Sequence, residues 1–279
     1  MDKTPLSPEE YKEPACPFEM DFYKPEPPVS PVPVERILRK LDEYLARNDQ
    51  AAAARHLDYW LAEALAGRDK QGELALRGER MGYFRKNARR EEALAEAREA
   101  ERLLGELHLA DSVTGGTAFL NIATVYNAFG ETGRALAFYE KAKAVYEEKL
   151  APEDPRMGGL YNNFGLALAA AGRFGEARKA YGNALAVMEK AGSKGLLERA
   201  VTLLNLANAA EAEKGLLDAA EEIEALLDEA ERLLQSPEIP RDGYRAFTLE
   251  KCAPTFAYYG RFAAAKEFEE EAKRIYEGT

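Results

Sequence analysis

The chain has 279 residues, of which 46% are hydrophobic and 31% are charged, and its net charge is −11. These proportions are ordinary for a soluble globular fold. The negative charge argues against binding to a nucleic-acid backbone or to an anionic membrane surface, because both favour basic proteins. We therefore expect neither nucleic acid nor membrane among its partners.

The lack of visible targeting signals and the cysteine usage indicate a cytoplasmic protein. No apolar run approaches the roughly 20 residues of a membrane-spanning helix, and the opening residues MDKTPLSPEE lack the apolar segment of a signal peptide. Cys16 and Cys252 lie far apart and have no metal-ligand spacing. This cysteine usage fits a reducing compartment, and we predict a cytoplasmic location.

Residues 1–33 differ sharply in composition from the rest of the chain, because they contain nine of the fourteen prolines. Proline at this density blocks helix formation and favours an extended backbone. The same segment carries Phe18, Met20, Phe22 and Tyr23, which a purely solvated linker would rarely include. We predict an extended N-terminal arm over 1–33 that docks within the molecule, as a lid on a binding groove or as a brace on the first helices.

Residues 34–279 show the pattern of a helical protein. Apolar residues recur at three- and four-residue spacing, strong helix formers dominate, and breaks near glycine or proline divide the segment into about twelve helices. The alternating pattern of β-strands with hairpin punctuation does not appear. The fold class predicted from these features is all-α.

The helices repeat with a long and nearly constant period. An alanine near the start of every second helix recurs at intervals of 40 to 46 residues. Self-similarity at such a period is the signature of a repeat architecture. It predicts six helical hairpins over 34–279, each marked by one of these alanines: Ala53, Ala93, Ala135, Ala177, Ala219 and Ala265.

The repeats at 117–190 resemble the tetratricopeptide repeat. The segment NIATVYNAFGETGRALAFYEKA has the motif's order of small, aromatic, glycine, alanine, aromatic and alanine residues, and NFGLALAAAGRFGEARKAYGNA repeats it with Leu168 in place of the first aromatic. The long period and the linker EEKLAPEDPR resemble the kinesin light chain type. The resemblance implies a right-handed α–α superhelix whose first helices line a concave, peptide-binding groove. In the first segment the motif residues are Ala123, Tyr126, Gly130, Ala135, Tyr139 and Ala142.

An asparagine recurs in register within the first helix of three successive units. Asn121, Asn163 and Asn205 are 42 residues apart, although asparagine is about 0.6 kcal/mol worse than alanine inside a helix. A residue three positions later shares the same helix face. We therefore predict that a peptide-binding row in the groove consists of Asn121, Thr124, Asn163, Leu166, Asn205 and Asn208.

An alternative role for these asparagines is structural, since their amides could bond a neighbouring helix and fix the superhelix. A groove that clamps an acidic C-terminus needs basic residues one turn before each asparagine, and Thr117, Gly159 and Val201 occupy those positions. In the flanking units, Glu79 and Lys251 occupy the positions equivalent to the asparagines.

No motif for catalysis, metal binding or cofactor binding is present. His56 and His108 are the only histidines and lack a metal-ligand spacing, and the HExxH, GxxxxGK[ST] and GxSxG motifs do not occur. We predict a non-enzymatic scaffold without cofactor or metal that binds a protein or peptide in its groove. The alternatives are a structural protein that self-assembles through its helical faces, and a helical-repeat enzyme whose site these motifs do not reveal.

Overall fold

The computed structural model describes residues 29–278, which form twelve α-helices and no β-strand. Each helix packs on the next in sequence within a pair, which gives six hairpins numbered in chain order. The predicted all-α fold of about six helical hairpins is thereby confirmed. The helices are α1 (Val34–Ala46), α2 (Gln50–Ala66), α3 (Lys70–Lys86), α4 (Arg90–Glu106), α5 (Val113–Ala128), α6 (Thr132–Lys149), α7 (Pro155–Ala170), α8 (Phe174–Lys190), α9 (Leu196–Lys214), α10 (Ala220–Leu234), α11 (Gly243–Tyr258) and α12 (Phe262–Glu277).

Side-chain caps define where several of the helices begin. The first backbone N–H groups of a helix have no partner within the helix, and a carboxylate or hydroxyl just before it can accept from them. Five helices begin in this way, and their capping residues are Asp49, Asp69, Ser112, Asp154 and Asp242.

None of the described helices is long and apolar enough to cross a membrane.

The turns within the hairpins use a left-handed residue, but its identity changes along the chain. Gly130, Gly172 and Gly260 take this conformation in hairpins 3, 4 and 6, at φ values of 79°, 73° and 81°. Asn48 and Ala88 take it in hairpins 1 and 2, both at φ 54°. A left-handed backbone costs an ordinary L-residue about 1–2 kcal/mol, which asparagine partly avoids. Ala88 is therefore a strained point of the fold.

The buried apolar side chains form three successive clusters. The first covers residues between 37 and 76, the middle one covers 74–187 together with Ala209, and the last covers 197–272. The repeated alanine is fully buried in hairpins 1 to 4 and almost so in the last two. A side chain this small allows the helices of a hairpin to approach closely.

The first helices of the six hairpins are arranged in a closed series. Helices α1, α3, α5, α7, α9 and α11 each contact the next, and α11 also contacts α1. The C-terminal end of α1 meets the N-terminal end of α11, where a Cβ added to Gly243 would lie 2.7 Å from Cα of Ala46. The two ends of the solenoid therefore touch, a closure that the repeat pattern did not predict.

Replacing Ala88 by glycine tests the strain in the second hairpin. We expect Ala88→Gly to stabilise the protein by about 1 kcal/mol, because glycine adopts a positive φ without steric cost. The measurement is the midpoint of urea unfolding followed by circular dichroism. The matched substitution Gly130→Ala should lower that midpoint, and an unchanged or lower midpoint for Ala88→Gly would contradict the assignment of strain.

Candidate functional site on the first helices

The three repeated asparagines lie on three neighbouring first helices. Asn121 is on α5, Asn163 on α7 and Asn205 on α9, and each side chain is half-buried. Asn121 faces α3, because a Cβ added to Gly78 would lie 3.6 Å from its Nδ2 atom. Within residues 29–278, the amides of Asn121 and Asn163 make no hydrogen bond to the protein. Both amides are therefore free to accept and donate.

Asn205 differs from the other two, because its amide is bound to a neighbouring helix. Its Nδ2 donates to Oδ1 of Asn162 at 3.0 Å, and the Thr202 hydroxyl donates to the same oxygen at 3.1 Å. Asn162 thus accepts two hydrogen bonds that tie α9 to α7. The two adjacent asparagines of α7 therefore differ: Asn162 joins α7 to α9, whereas the amide of Asn163 is unbound.

Thr124 is turned toward the second helix of its own hairpin. Its hydroxyl donates to the Leu120 carbonyl at 2.8 Å and lies 3.2 Å from the Tyr139 hydroxyl on α6. Burial raises the pKa of Tyr139 to about 12. Thr117 makes the same kind of pair with Tyr146 at 2.7 Å. These threonines therefore hold α5 against α6 and offer a ligand little of their hydroxyl groups.

Leu166 and Asn208 occupy the Thr124 position in the next two repeats. Leu166 packs against the middle core cluster. The Tyr181 hydroxyl, which corresponds to that of Tyr139, is buried and has no hydrogen-bond partner among residues 29–278. Asn208 is exposed, and its Oδ1 accepts a hydrogen bond from the Tyr259 hydroxyl at 3.0 Å. The same position thus has a different contact in each repeat.

Small side chains surround the free amides. Ala128, Ala170 and Ala212 near the ends of α5, α7 and α9 are exposed, and a Cβ added to Gly159 would meet nothing within 4 Å. The space at Gly159, one turn before Asn163 on α7, is open as an extended ligand backbone would need.

A cavity of about 600 Å³ lies where the two ends of the solenoid meet, and we name it the end cavity. Glu79 and Lys251, which occupy the positions of the repeated asparagines in the flanking units, both line it. The closure therefore brings the two ends of the row together. The other apolar and charged residues of its wall include Leu41, Asp42, Leu45, Tyr83, Lys86, Tyr244, Phe247, Glu250 and Tyr276.

Charges of both signs face the end cavity. The Nζ atoms of Lys86 and Lys251 lie 4.6 Å and 5.7 Å from the centre of the Phe247 ring. Burial, with the nearby charges of Arg85 and Lys251, lowers the pKa of Lys86, whereas Glu79 acts in the opposite direction. Burial and the Asp42 carboxylate raise the pKa of Glu79. Sequence analysis named Glu79 and Lys251 but missed Lys86 and Phe247, which no repeat motif marks.

The described residues contain no group of three or more histidine, cysteine, aspartate or glutamate side chains that could hold a metal ion. Cys252 is buried, and its burial raises the thiol pKa to about 12. The thiol is therefore protonated at neutral pH and is a poor nucleophile.

A sequence profile of the tetratricopeptide repeat matches residues 116–156 and 159–191. Over these residues the chain is similar to the tetratricopeptide repeat. The match covers hairpins 3 and 4, on which the resemblance was recognised, and confirms it. A comparison with curated proteins found no match to this chain.

Solved structures share the helical repeat fold. One solved structure consists of nearly identical TPR-like repeats described as a kinesin light chain from Podosopora anserina. It is 19% identical to this chain, and the match covers 71% of this chain and 92% of that chain. Its TM-score is 0.49, and that of a single-substitution variant is 0.50. BtubC (BKLC) from P. vanneervenii is 17% identical, with 88% of this chain and 91% of that chain covered and a TM-score of 0.46. The variant structure, at a TM-score of 0.50, shows the shared helical-repeat fold.

Two equivalent tyrosines should differ in how the loss of their hydroxyl group changes the free energy of unfolding. Tyr139→Phe removes the hydrogen bond with Thr124 and should cost about 1 kcal/mol of the free energy of unfolding. Tyr181→Phe removes a buried hydroxyl without a partner, so it should be neutral or stabilising. Urea unfolding of the two variants under the same conditions measures the difference, and equal losses would contradict the hydrogen-bond assignment.

Proposed function

We propose that this protein is a non-enzymatic scaffold that binds an extended segment of a protein or peptide partner along the first-helix face. The observation that carries the proposal is the pair of unbound amides, Asn121 and Asn163, on adjacent helices beside small residues. An asparagine inside a helix costs stability, and a contact with a ligand accounts for its presence at these two positions.

The spacing of the row suits an extended backbone. Packed helices lie roughly 8–10 Å apart, and an extended chain rises about 3.3 Å per residue. Amides on successive first helices would then meet about every third ligand residue. Each amide offers a donor and an acceptor and can hold the N–H and C=O of one ligand residue, whatever its side chain.

The six predicted site residues contribute unequally in this proposal. Asn121 and Asn163 hold the ligand backbone with both halves of their amides. Asn205 offers its oxygen, because its Nδ2 already donates to Asn162. Leu166 and Asn208 contact the side chains of the ligand. Thr124 does not contact the ligand but holds α5 in position through its hydrogen bonds to Leu120 and Tyr139.

The arm over 1–33 is proposed to dock in cis as a brace on hairpin 1. The described end of the arm supports the brace: Ser30 N–H donates to the Gly67 carbonyl at 2.8 Å, and Val32 N–H donates to Asp69 Oδ2 at 2.9 Å. The predicted anchors Phe18, Phe22 and Tyr23 lie outside the described residues. The domain boundary after residue 33 and the cytoplasmic location stay predictions.

Single substitutions of the asparagines test peptide binding. The probe is a peptide captured from native lysate and identified by mass spectrometry. Asn121→Ala and Asn163→Ala should each weaken its binding by about 1–2 kcal/mol without lowering the melting temperature. Asn162→Ala is the matched control, because it breaks the link between α7 and α9 and should lower the melting temperature instead. Unchanged affinity in both groove variants, with melting temperatures reduced, would refute the groove.

Self-assembly is a second candidate function, and an exposed apolar patch favours it. Leu216, Leu217, Tyr258 and Phe262 lie on the turns of hairpins 5 and 6, and Leu217 and Phe262 are 90% and 69% exposed. The turns are neighbours, because Tyr258 donates to Glu211 near the end of α9 at 2.7 Å. We name these four residues the turn patch. An exposed apolar patch of this kind is a common mark of a protein interface.

Charged substitutions in the turn patch test self-assembly. If the patch joins copies of the chain, the apparent mass of the native protein in sedimentation velocity should rise with protein concentration. Leu217→Glu or Phe262→Glu should return the protein to a monomer. Leu65→Glu, at a separate exposed leucine on α2, is the control and should leave association unchanged. A native protein that stays monomeric at all concentrations eliminates this candidate.

A further inference from the structure

The contact between the two ends of the solenoid is small and specific. Gly243 abuts Ala46 so closely that an added Cβ would lie 2.7 Å from its Cα and 3.0 Å from its Cβ. Beside it, Lys86 on α3 lies over the Phe247 ring on α11. We name these two pairs the latch. Only glycine at position 243 allows the helices this approach, so the closure depends on one residue of the chain.

The latch carries little of the stabilisation that holds neighbouring hairpins together. Among the described residues, the first core cluster ends at Leu76 and the last begins at Leu197, so no buried cluster spans the two ends. The end cavity separates the walls beside the latch. Separation of the ends would therefore expose little apolar surface, whereas separation of hairpins 3 and 4 would break the middle cluster.

The charges around the latch act in both directions. Lys86 lies near two like charges, those of Arg85 and Lys251. Attraction comes from Glu79 and from the face of Phe247. The remaining charged groups on the cavity wall, Asp42, Asp242 and Glu250, are acidic. Attraction and repulsion thus meet in one small contact.

We propose that the latch is a gate for the groove: it closes the ring of first helices around the asparagine row, and its opening admits a ligand segment. The gate rests on the proposed function for its purpose, because it regulates access to that same face. A ligand whose two ends continue into folded domains cannot thread a closed ring. It enters only when α1 and α11 separate, and their renewed contact then retains it.

The test measures access to the groove without a ligand. Asn163→Cys, in a Cys16→Ser background, places a thiol on α7, while Cys252 stays buried and unreactive. The probes are N-ethylmaleimide and a large polyethylene glycol maleimide, and the readout is the ratio of their labelling rates. If the open state is the minor one, populated at about 0.1–10%, then Gly243→Leu should raise the relative rate of the large probe about tenfold or more.

Two controls and a second latch variant make the result specific to the latch. Gly175→Leu, where an added Cβ meets nothing within 4 Å, should leave the ratio unchanged. A thiol from Lys179→Cys, exposed on α8, should give the same ratio with and without Gly243→Leu. Phe247→Ala loosens the latch without adding bulk and should raise the ratio at position 163 if Gly243→Leu fails to fold.

Equal labelling ratios in the native protein and in the Gly243→Leu and Phe247→Ala variants would overturn the gate. Loss of peptide binding in the Asn121 and Asn163 variants is a separate result, so the two proposals fail independently.

Discussion

A helical hairpin of this length cannot bury its apolar face alone, so each hairpin depends on the next. The rest of the structure follows from that constraint. The buried alanine of each second helix, such as Ala135 or Ala177 with 0% exposure, allows the close approach that burial requires. Stacking of successive hairpins then places α1, α3, α5, α7, α9 and α11 side by side. The face that these helices share is the surface on which we propose that a partner binds.

The asparagines show how one repeated position serves two physical purposes. In hairpins 3 and 4 the amide remains unbound, at a cost in helix propensity. In hairpin 5 the Asn205 amide is satisfied by Asn162 of the preceding repeat. The helix-bonding alternative considered from sequence therefore describes Asn205, whereas the ligand proposal rests on Asn121 and Asn163. A repeated residue in register does not guarantee a repeated contact.

The closure of the ring changes what the first-helix face can do. An open solenoid offers its groove to any segment that diffuses to it, whereas the contact between α1 and α11 would, in the proposed gate, restrict access to that face. The contact between α1 and α11 shares little buried apolar surface, and charges of both signs lie near Lys86. The molecule thus combines a cohesive middle, where one cluster covers 74–187, with ends joined only by the latch. Cohesion in the middle and weakness at the ends is the arrangement that the proposed gate requires.

The sequence by itself determined the helices, their pairing, the long period and the resemblance of hairpins 3 and 4 to the tetratricopeptide repeat, because these depend on local propensity, on three- and four-residue spacing and on small residues at fixed intervals. It also identified the positions of Asn121, Asn163 and Asn205. The tertiary structure decided which amides are bound, because a one-residue step around a helix separates the bonded Asn162 from the unbound Asn163. It alone decided that Ala46 meets Gly243, since closure depends on the accumulated rotation across five hairpin interfaces, which no single repeat encodes.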